Sequence, residues 1–524
     1  MSQGSPSSPA RTDAAPIDAA AWRALVLNTL AFTVCFAVWM MNGVLMTYLV
    51  DNGIQDWDPA SLGWLIGVPV LTGSIMRLPI GLLTDRFGGK WVFGLLLLGS
   101  AAPTYLVGSC DSFYEFFLAS LGFGMTGTGF AVGIAFTSVW FPPQRQGLAL
   151  GIFGAGNAGA AVTSLLAPTM LRWLTDGGEN LDAWRTLPKI YAGVLVVVGI
   201  AFLLLTTNRL APGAAQKTLA QQLRPLANMR VWRFGLYYFY VFGGFVALAQ
   251  WLIPYYVNAY SMSIVTAGIL ASVFSLPSGL VRAVGGWLSD HFGARTVMYW
   301  VFGSSLVCFA FLLLPQMDIH APGSGVMARS AGKVVDVNDD QVVVLNKLGK
   351  RDVYTLSPAT GEAVTAADRR SQILIWPRST SWQEPAVALG DEVQKRHLLA
   401  RGVTHIFFQA NVWIFTVLVF VVGVVTGIGK AAVYRYIPDY FPRDVGVVGG
   451  IVGVLGGLGG FICPIIFGYL LRWTGVWTTC WLFFLILTAV CTLWLHLVVR
   501  QILKHQAPEQ LHRIELNVHE DDRA

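Results

Sequence analysis

Arg77-Leu-Pro-Ile-Gly-Leu-Leu-Thr-Asp-Arg-Phe-Gly-Gly-Lys90 returns 205 residues later as Arg282-Ala-Val-Gly-Gly-Trp-Leu-Ser-Asp-His-Phe-Gly-Ala-Arg295. The leading arginine, a glycine, the aspartate, the phenylalanine and the closing base recur at the same spacing. A repeat at one constant offset is typical of a chain built from two similar halves. In each copy the aspartate follows the leading arginine by eight residues, or about 12 Å of helix.

The composition excludes an ordinary water-soluble globule. Of 524 residues, 55% are apolar and only 12% are charged, and apolar runs long enough to cross a bilayer recur along the chain. The sequence therefore predicts an all-α membrane protein with twelve helices in a 6+6 arrangement. The predicted spans are 23–50, 61–83, 91–109, 114–139, 147–170, 190–207, 232–257, 264–288, 297–314, 408–436, 446–470 and 477–499.

Arg77 and Arg282 each lie in an otherwise apolar predicted span. If the aspartates mark a membrane surface, both guanidiniums lie near the bilayer midplane. A charge there costs at least ~2.5–3.5 kcal/mol and normally has a function. Two such arginines in symmetric positions predict an anion site between the two halves.

The distribution of charge predicts the topology. The net charge of +6 does not indicate nucleic-acid binding, because a basic cluster without acids lies between the sixth and seventh spans (Arg209, Lys217, Arg224, Arg230 and Arg233). The first outward loop instead carries Asp51, Asp56 and Asp58. By the positive-inside rule, both termini face the cytoplasm, and we expect a multi-pass protein of the cytoplasmic membrane.

The chain divides into predicted segments. These are a disordered tail (1–21), an N-terminal half (22–207), a cytoplasmic linker (208–231), a C-terminal half (232–314 and 406–500), an insertion (315–405) and a cytoplasmic tail (501–524). The insertion has β-branched runs at 333–337, 341–345, 351–356 and 372–376, with a turn at Asn338, which predicts a small extracytoplasmic β domain. We expect it to be a decoration, and a domain that signals to a partner is the alternative. The six cysteines suggest neither disulfides nor a metal site.

The stretch at 81–90 and its echo at 286–295 resemble the cytoplasmic loop signature of the major facilitator superfamily. That resemblance implies the major facilitator fold. It also implies a gating role for the charged loop residues Asp85, Arg86, Asp290 and Arg295.

The fifth and eleventh spans carry a second pair of motifs. They read Gly151-Ile-Phe-Gly-Ala-Gly-Asn157-Ala-Gly-Ala-Ala-Val-Thr-Ser-Leu-Leu-Ala-Pro168 and Gly449-Gly-Ile-Val-Gly-Val-Leu-Gly-Gly-Leu-Gly-Gly-Phe-Ile-Cys-Pro464. With the two arginines, they resemble the signatures of the nitrate/nitrite porters (NarK/NasA type). The signature glycines are Gly154, Gly156, Gly159, Gly453, Gly456, Gly457 and Gly460. Small residues also permit close helix packing in lipid, and we expect them to serve both purposes.

The resemblance implies transport of nitrate and nitrite for assimilation, with Arg77 and Arg282 clamping the anion. It also implies that an aromatic group lines the site, namely Phe36, Phe130, Tyr238 and Phe242. Tyr238 can donate a hydrogen bond to an oxyanion, whereas packing alone would explain any one of the phenylalanines. Asn157 needs a partner among the glycines, and we favour an anion contact over a structural hydrogen bond.

Coupling has one candidate. The predicted spans contain no interior Asp or Glu, but Lys430 lies in Gly427-Ile-Gly-Lys-Ala-Ala-Val-Tyr-Arg-Tyr-Ile-Pro438 of the tenth span. A lysine can exchange a proton, so Lys430 could support nitrate–proton symport. The alternative is a lysine that extends to the cytoplasmic surface. Without a coupling group, two repelling arginines favour nitrate/nitrite antiport.

The sequence therefore predicts a transporter and not an enzyme, without cofactor or metal. Its partners would be nitrate, nitrite, the lipid bilayer and, for symport, protons, and it would function as a monomer. Two rival interpretations remain. One is a carrier of another small anion, such as formate, oxalate or a monocarboxylate, which two arginines could also clamp. The other is a nitrate receptor that signals to a partner through the 315–405 domain.

Overall fold

The computed structural model describes residues 18–210, 223–314, 317–357, 378–408, 410–441 and 445–506. Within these ranges, ten helices are long and apolar enough to cross a bilayer, and two bent helix pairs complete a set of twelve spans. We number them α1 to α12: Ala19–Asp51, Pro59–Ile75 with Arg77–Phe87, Gly89–Val107, Phe113–Ser138, Arg145–Leu174, Leu181–Leu205, Met229–Tyr260, Ile264–Leu280 with Arg282–Phe292, Ala294–Leu312, Val412–Tyr440, Val445–Thr474 and Thr479–Ile502. The predicted helical membrane fold is confirmed.

The internal repeat extends to the backbone of α2 and α8. These spans bend by 40° and 47°, immediately before Arg77 and Arg282. The residues at the two bends, Met76 and Val281, have nearly the same backbone angles (φ −72°, ψ −6° and φ −70°, ψ −6°). The sequence predicted arginines inside continuous helices. Each arginine instead begins the second segment of a bent span.

The two ends of the bundle differ in how closely the halves pack. We call the end where α9 leads into the inserted strands the insertion face, and the end where α6 leads towards α7 the linker face. Near the insertion face, α2 contacts α11 and α5 contacts α8 so closely that a Cβ on Gly63 or Gly268 would overlap a carbonyl of the other half (Pro464 and Ser164). Towards the linker face, a Cβ on Gly151 would meet nothing nearer than 3.9 Å. The halves are therefore closed most tightly at the insertion face.

An ion pair also joins the halves there. Asp58, which caps α2, lies 3.0 Å from Arg472 on α11. Partial burial acts to raise the pKa of Asp58, but hydrogen bonds from Ser61 and the charge of Arg472 outweigh it and hold that pKa below its usual value. Because both side chains are partly exposed, this pair stabilises the closed face by no more than ~1 kcal/mol.

The predicted β insertion is present between α9 and α10. Its strands are β1 Met317–Met327, β2 Gly332–Val337, β3 Gln341–Asn346, β4 Arg351–Thr355, β5 Arg378–Pro385, β6 Glu392–Val393 and β7 Leu398–Phe408. They form two sheets, ordered β1-β7-β5 and β4-β3-β2-β6. The expected hairpin joins β2 to β3, and the Asn338 side chain accepts hydrogen bonds from the backbone N–H groups of Asp340 and Gln341. The predicted run at 372–376 lies outside the described residues.

Three predicted boundaries shift. Helix α1 already begins at Ala19 because Asp18 caps it, so the predicted tail is too long. The inserted strands continue to Phe408, three residues past the predicted end, and α10 begins at Val412. The last helix begins at Thr479 and continues beyond its candidate membrane span, which ends at Ile502, to Gln506, whereas the predicted span ends at 499.

The insertion is structurally separable from the bundle. Its buried residues, including Val342, Val344 and Leu399, form a hydrophobic cluster distinct from that of the helices. Met317 pairs with Phe408, so the two connections to the bundle leave from adjacent positions.

We therefore expect a variant in which residues 315–409 are replaced by a short Gly-Ser linker to insert and fold. Its rate of anion uptake in proteoliposomes should stay within about two-fold of wild type, because the deletion removes none of the helical packing. A loss of uptake with a normal thermal unfolding midpoint would instead show that the insertion takes part in transport.

Candidate anion-binding site

Arg77 is held in the interior of the bundle by aromatic faces. It is 4% exposed, and its guanidinium carbon lies 5.7 Å from the ring centroid of Trp39, 5.7 Å from that of Phe130 and 5.2 Å from that of Phe242. Its Nη1 donates a hydrogen bond of 2.7 Å to the carbonyl of Gly453, which belongs to the other half. The aromatic quadrupoles compensate part of the cost of burying this cation.

Arg282 approaches the same point from the C-terminal half. Its guanidinium carbon lies 5.1 Å from the ring centroid of Phe130 and 5.8 Å from that of Tyr434. Both guanidiniums therefore contact the same phenyl ring. The structure thus brings the two symmetric arginines together between the halves, and their binding of an anion stays a prediction.

No carboxylate neutralises this pair within the described ranges. The buried arginine and lysine side chains described there are Arg77, Arg233 and Lys430, whereas no Asp or Glu described there is buried. In the same residues, Nη2 of Arg77 and Nη1 of Arg282 are inaccessible to solvent and lack a hydrogen-bond acceptor. The site thus combines excess positive charge with unused donors, which a small oxyanion would complement.

The glycine-rich spans let each arginine reach the opposite half. A Cβ on Gly457 of α11 would overlap the Ser74 hydroxyl and lie 3.4 Å from Nη1 of Arg77. A Cβ on Gly154 of α5 would lie 3.4 Å from Cδ of Arg282. Any larger residue would occupy the space that these side chains use.

At the remaining signature glycines, the group nearest to the missing Cβ is not an arginine but another side chain or the backbone. A Cβ on Gly453 would lie 3.1 Å from the Tyr434 hydroxyl. The other four predicted positions are filled by a ring, a carbonyl or an aliphatic side chain of a neighbouring span: Gly156 by Phe32, Gly159 by Thr33, Gly456 by Tyr238 and Gly460 by Val246.

Three spans change helical geometry beside the site. Helix α4 has a 3₁₀ turn at Gly124–Thr128, α5 has one at Ala155–Ala158, and α7 has a π-helical segment at Phe239–Gly244. Such irregular turns inside long helices often mark functional positions. Asn157 and Phe242 lie in two of these irregular turns, whereas sequence periodicity alone would predict regular helix there.

The predicted lining residues are not all equivalent. Asn157 is fully buried, and within the described part of the chain neither of its side-chain polar atoms has a hydrogen-bond partner. Tyr238 is also buried and stacks on Phe242 at 5.1 Å between ring centroids. Phe36 instead stacks on Phe245, at 6.4 Å between centroids.

Lys430 does not extend to the membrane surface, so that alternative interpretation was wrong. Its side chain is fully buried, and Nζ donates to the Ser278 hydroxyl at 3.0 Å. Nζ also lies 3.2 Å from the centroid of the Phe245 ring. Ser278 is one turn before Arg282, so Lys430 contacts α8 close to its bend.

Four site residues escaped sequence reasoning: Trp39, Phe245, Ser278 and Tyr434. Tyr434 had a usable signal, because it follows Lys430 by four residues and so lies on the same helical face. Trp39, Phe245 and Ser278 had no such signal in the sequence, since aromatic residues and serines are frequent along the spans.

The predicted gating residues lie at the linker face. Asp290 accepts a hydrogen bond of 2.8 Å from Arg435 on α10, which ties the end of α8 to its neighbour. Arg295 donates to the Tyr440 hydroxyl at 2.9 Å. The Arg86 guanidinium lies over the Phe87 ring, at 5.3 Å from its centroid, beside Asp85 in the same turn of α2. Their role in gating stays a prediction.

Comparisons with known proteins agree with this architecture. The family model described as Major Facilitator Superfamily matches residues 27–330 and 398–518. A Thermus thermophilus protein named "Probable nitrate/nitrite antiporter NarK1" is 36% identical over 499 residues, covering 94% of this chain and 95% of that protein. A Bacillus subtilis protein named "Nitrite extrusion protein" is 26% identical over 310 residues, covering 59% of this chain and 75% of its own length.

Solved structures show the same fold at low sequence identity. A bacterial homologue of the human lysosomal transporter Spinster, in an inward-facing and occupied conformation, has a TM-score of 0.59 at 14% identity and covers 92% of this chain and 97% of its own. The nucleoside transporter NupG has a TM-score of 0.56 at 12% identity, covering 91% of this chain and 98% of its own.

The chain is thus a multi-pass membrane transporter of the major facilitator superfamily, and not an enzyme. Within that superfamily it belongs to the nitrate/nitrite porters of the NarK/NasA type. The family resemblance drawn from the two arginine repeats and the two glycine-rich spans is confirmed.

The tight fit of Gly457 generates a prediction. Gly457→Ala should displace Ser74 and the Arg77 guanidinium, and overpacking of this kind costs ~1–3 kcal/mol. We expect the KM for nitrate uptake in proteoliposomes to rise about 10-fold. Gly446→Ala on the same helix is the control, because a Cβ there meets nothing within 4 Å. Equal KM values for the two variants would contradict the assigned packing.

Proposed function

We propose that this protein moves nitrate and nitrite across the cytoplasmic membrane by alternating access, with Arg77 and Arg282 clamping the anion. The observation that carries the proposal is the meeting of both guanidiniums at the Phe130 ring, each with an unused buried donor. The names printed for the relatives in Thermus thermophilus and Bacillus subtilis support the same substrates.

The chemistry of the site matches a flat oxyanion. Nitrate is planar and singly charged, and it carries only acceptors. Guanidinium is planar, keeps its charge and offers paired donors, which a lysine cannot reproduce. The rings of Phe130 and Phe242 stack at 6.4 Å between centroids and present apolar faces beside these donors. The unpartnered Asn157 amide and the Tyr238 hydroxyl would complete the hydrogen bonding.

The packing of the halves supports a rocking mechanism. The insertion face is closed by close backbone contacts, whereas the linker face is less tightly packed. The hydrogen bond from Arg77 to the Gly453 carbonyl crosses between the halves. An anion that enters would accept this hydrogen bond from Arg77 in place of the Gly453 carbonyl. Substrate binding would therefore break a contact between the halves. By the positive-inside rule, the linker face lies in the cytoplasm with both termini, and one chain contains the whole site, so a monomer suffices.

The electrostatics favour exchange over net uptake. Two fixed positive charges repel each other across an empty site, so the halves would reorient more readily with an anion between them. The name printed for the Thermus thermophilus relative, an antiporter, supports this mode. Lys430 is the only other buried cation described near the site and is the candidate for proton coupling if transport is symport.

The arginine clamp predicts a strict requirement for guanidinium. Arg77→Lys and Arg282→Lys keep the charge but lose the paired donors, and each should lower counterflow of labelled nitrate about 10- to 100-fold. Arg172→Lys, at an exposed position of α5, should leave counterflow unchanged. Wild-type counterflow in either of the first two variants, or equally strong competition by formate and oxalate, would contradict a nitrate clamp.

Exchange can be separated from symport in loaded vesicles. Nitrate entry should be about 10-fold faster when the lumen contains nitrite, and Lys430→Met should leave that stimulation in place. If wild-type protein instead takes up nitrate into empty vesicles in response to a pH gradient, and Lys430→Met abolishes the response, the protein is a proton symporter and Lys430 couples it.

A further inference from the structure

Gln250 on α7 is a buried amide without a structural explanation. It is 1% exposed, and within the described part of the chain neither Oε1 nor Nε2 has a hydrogen-bond partner. Leaving buried polar groups unpaired is unfavourable. The side chain therefore gains its partners in another state of the protein, or from a ligand.

The surroundings place Gln250 at the contact between the halves. A Cβ added at Gly43 on α1 would lie only 2.8 Å from both Cα and Cβ of Gln250. Gln250 thus packs on bare backbone of the N-terminal half. When the halves separate at the insertion face, this contact opens and the amide becomes accessible.

The position along α7 lies between the arginine site and the insertion face. Phe245, which contacts Lys430, precedes Gln250 by five residues, or about 7.5 Å of helix. One turn on either side, the same face of α7 carries Val246 and Pro254. Gln250 is therefore the one polar side chain in the stretch of α7 from Phe245 to Pro254.

We propose that Gln250 forms an outer binding position for the oxyanion, occupied on its way between the insertion face and the arginine pair. An amide offers two N–H donors without a charge, so it can bind nitrate weakly and release it to the arginines. This inference rests on the proposed nitrate transport. It adds a position that is reached from one side of the membrane only.

The test is the KM for nitrate measured separately from each face, in right-side-out and inside-out vesicles whose orientation is read from an epitope in the insertion. Gln250→Leu keeps the shape and removes the donors. The KM from the insertion face should rise about five-fold, while the KM from the linker face stays within two-fold. Asn258→Ala on the same helix is the control, since that amide already donates to the Pro254 carbonyl, and its KM values should match wild type.

Gln250→Glu separates this role from a role in gate stability. A carboxylate would repel the anion, so an outer binding position predicts a KM from the insertion face at least about 10-fold higher. If Gln250 only tunes the gate, leucine should stabilise closure and a buried carboxylate should favour opening, so the two variants would shift that KM in opposite directions. Opposite shifts, or equal changes from both faces, would overturn the proposal. Failure of wild-type protein to transport nitrate would instead overturn the proposed function.

Discussion

The repulsion between two arginines that meet inside the bundle is the constraint on which this structure depends. Arg77 and Arg282 keep their charges under all physiological conditions, and within the described ranges no buried carboxylate balances them. Aromatic faces and two carbonyls, those of Gly127 and Gly453, partly compensate the charge of Arg77 in the closed bundle. In the proposed function, this excess positive potential makes the interior selective for a small anion.

The two halves place their arginines symmetrically but differ at a pair of equivalent positions on α4 and α10. The motif Phe-Pro recurs at an offset of 300, at Phe141 and Phe441, and the same offset relates Phe130 to Lys430. In the N-terminal half this place holds the ring shared by both guanidiniums, whereas in the C-terminal half it holds a third cation turned towards Phe245 and Ser278. The asymmetry leaves one aromatic surface, Phe130, between the two arginines and keeps Lys430 beside the bend that positions Arg282.

The glycine-rich spans show how packing and function share the same residues. Gly63 and Gly268 close the insertion face by admitting a carbonyl of the opposite half, while Gly154 and Gly457 leave room for an arginine side chain. Both uses follow from the missing Cβ, and they differ only in what fills the space. The same glycine-rich composition therefore serves helix packing and makes room for the arginines to which we assign anion binding.

The sequence by itself determined the twelve apolar spans, the repeat that pairs Arg77 with Arg282, and the hairpin around Asn338, because periodicity, composition and turn chemistry are local properties. Tertiary structure decided which of the predicted aromatic residues contact the arginines. Phe130 and Phe242 do, whereas Phe36 stacks on Phe245. It also decided that Lys430 is buried and that Trp39 and Tyr434 belong to the site. These outcomes depend on helix rotation and on the bends before the arginines, which are set by contacts between spans far apart in the chain.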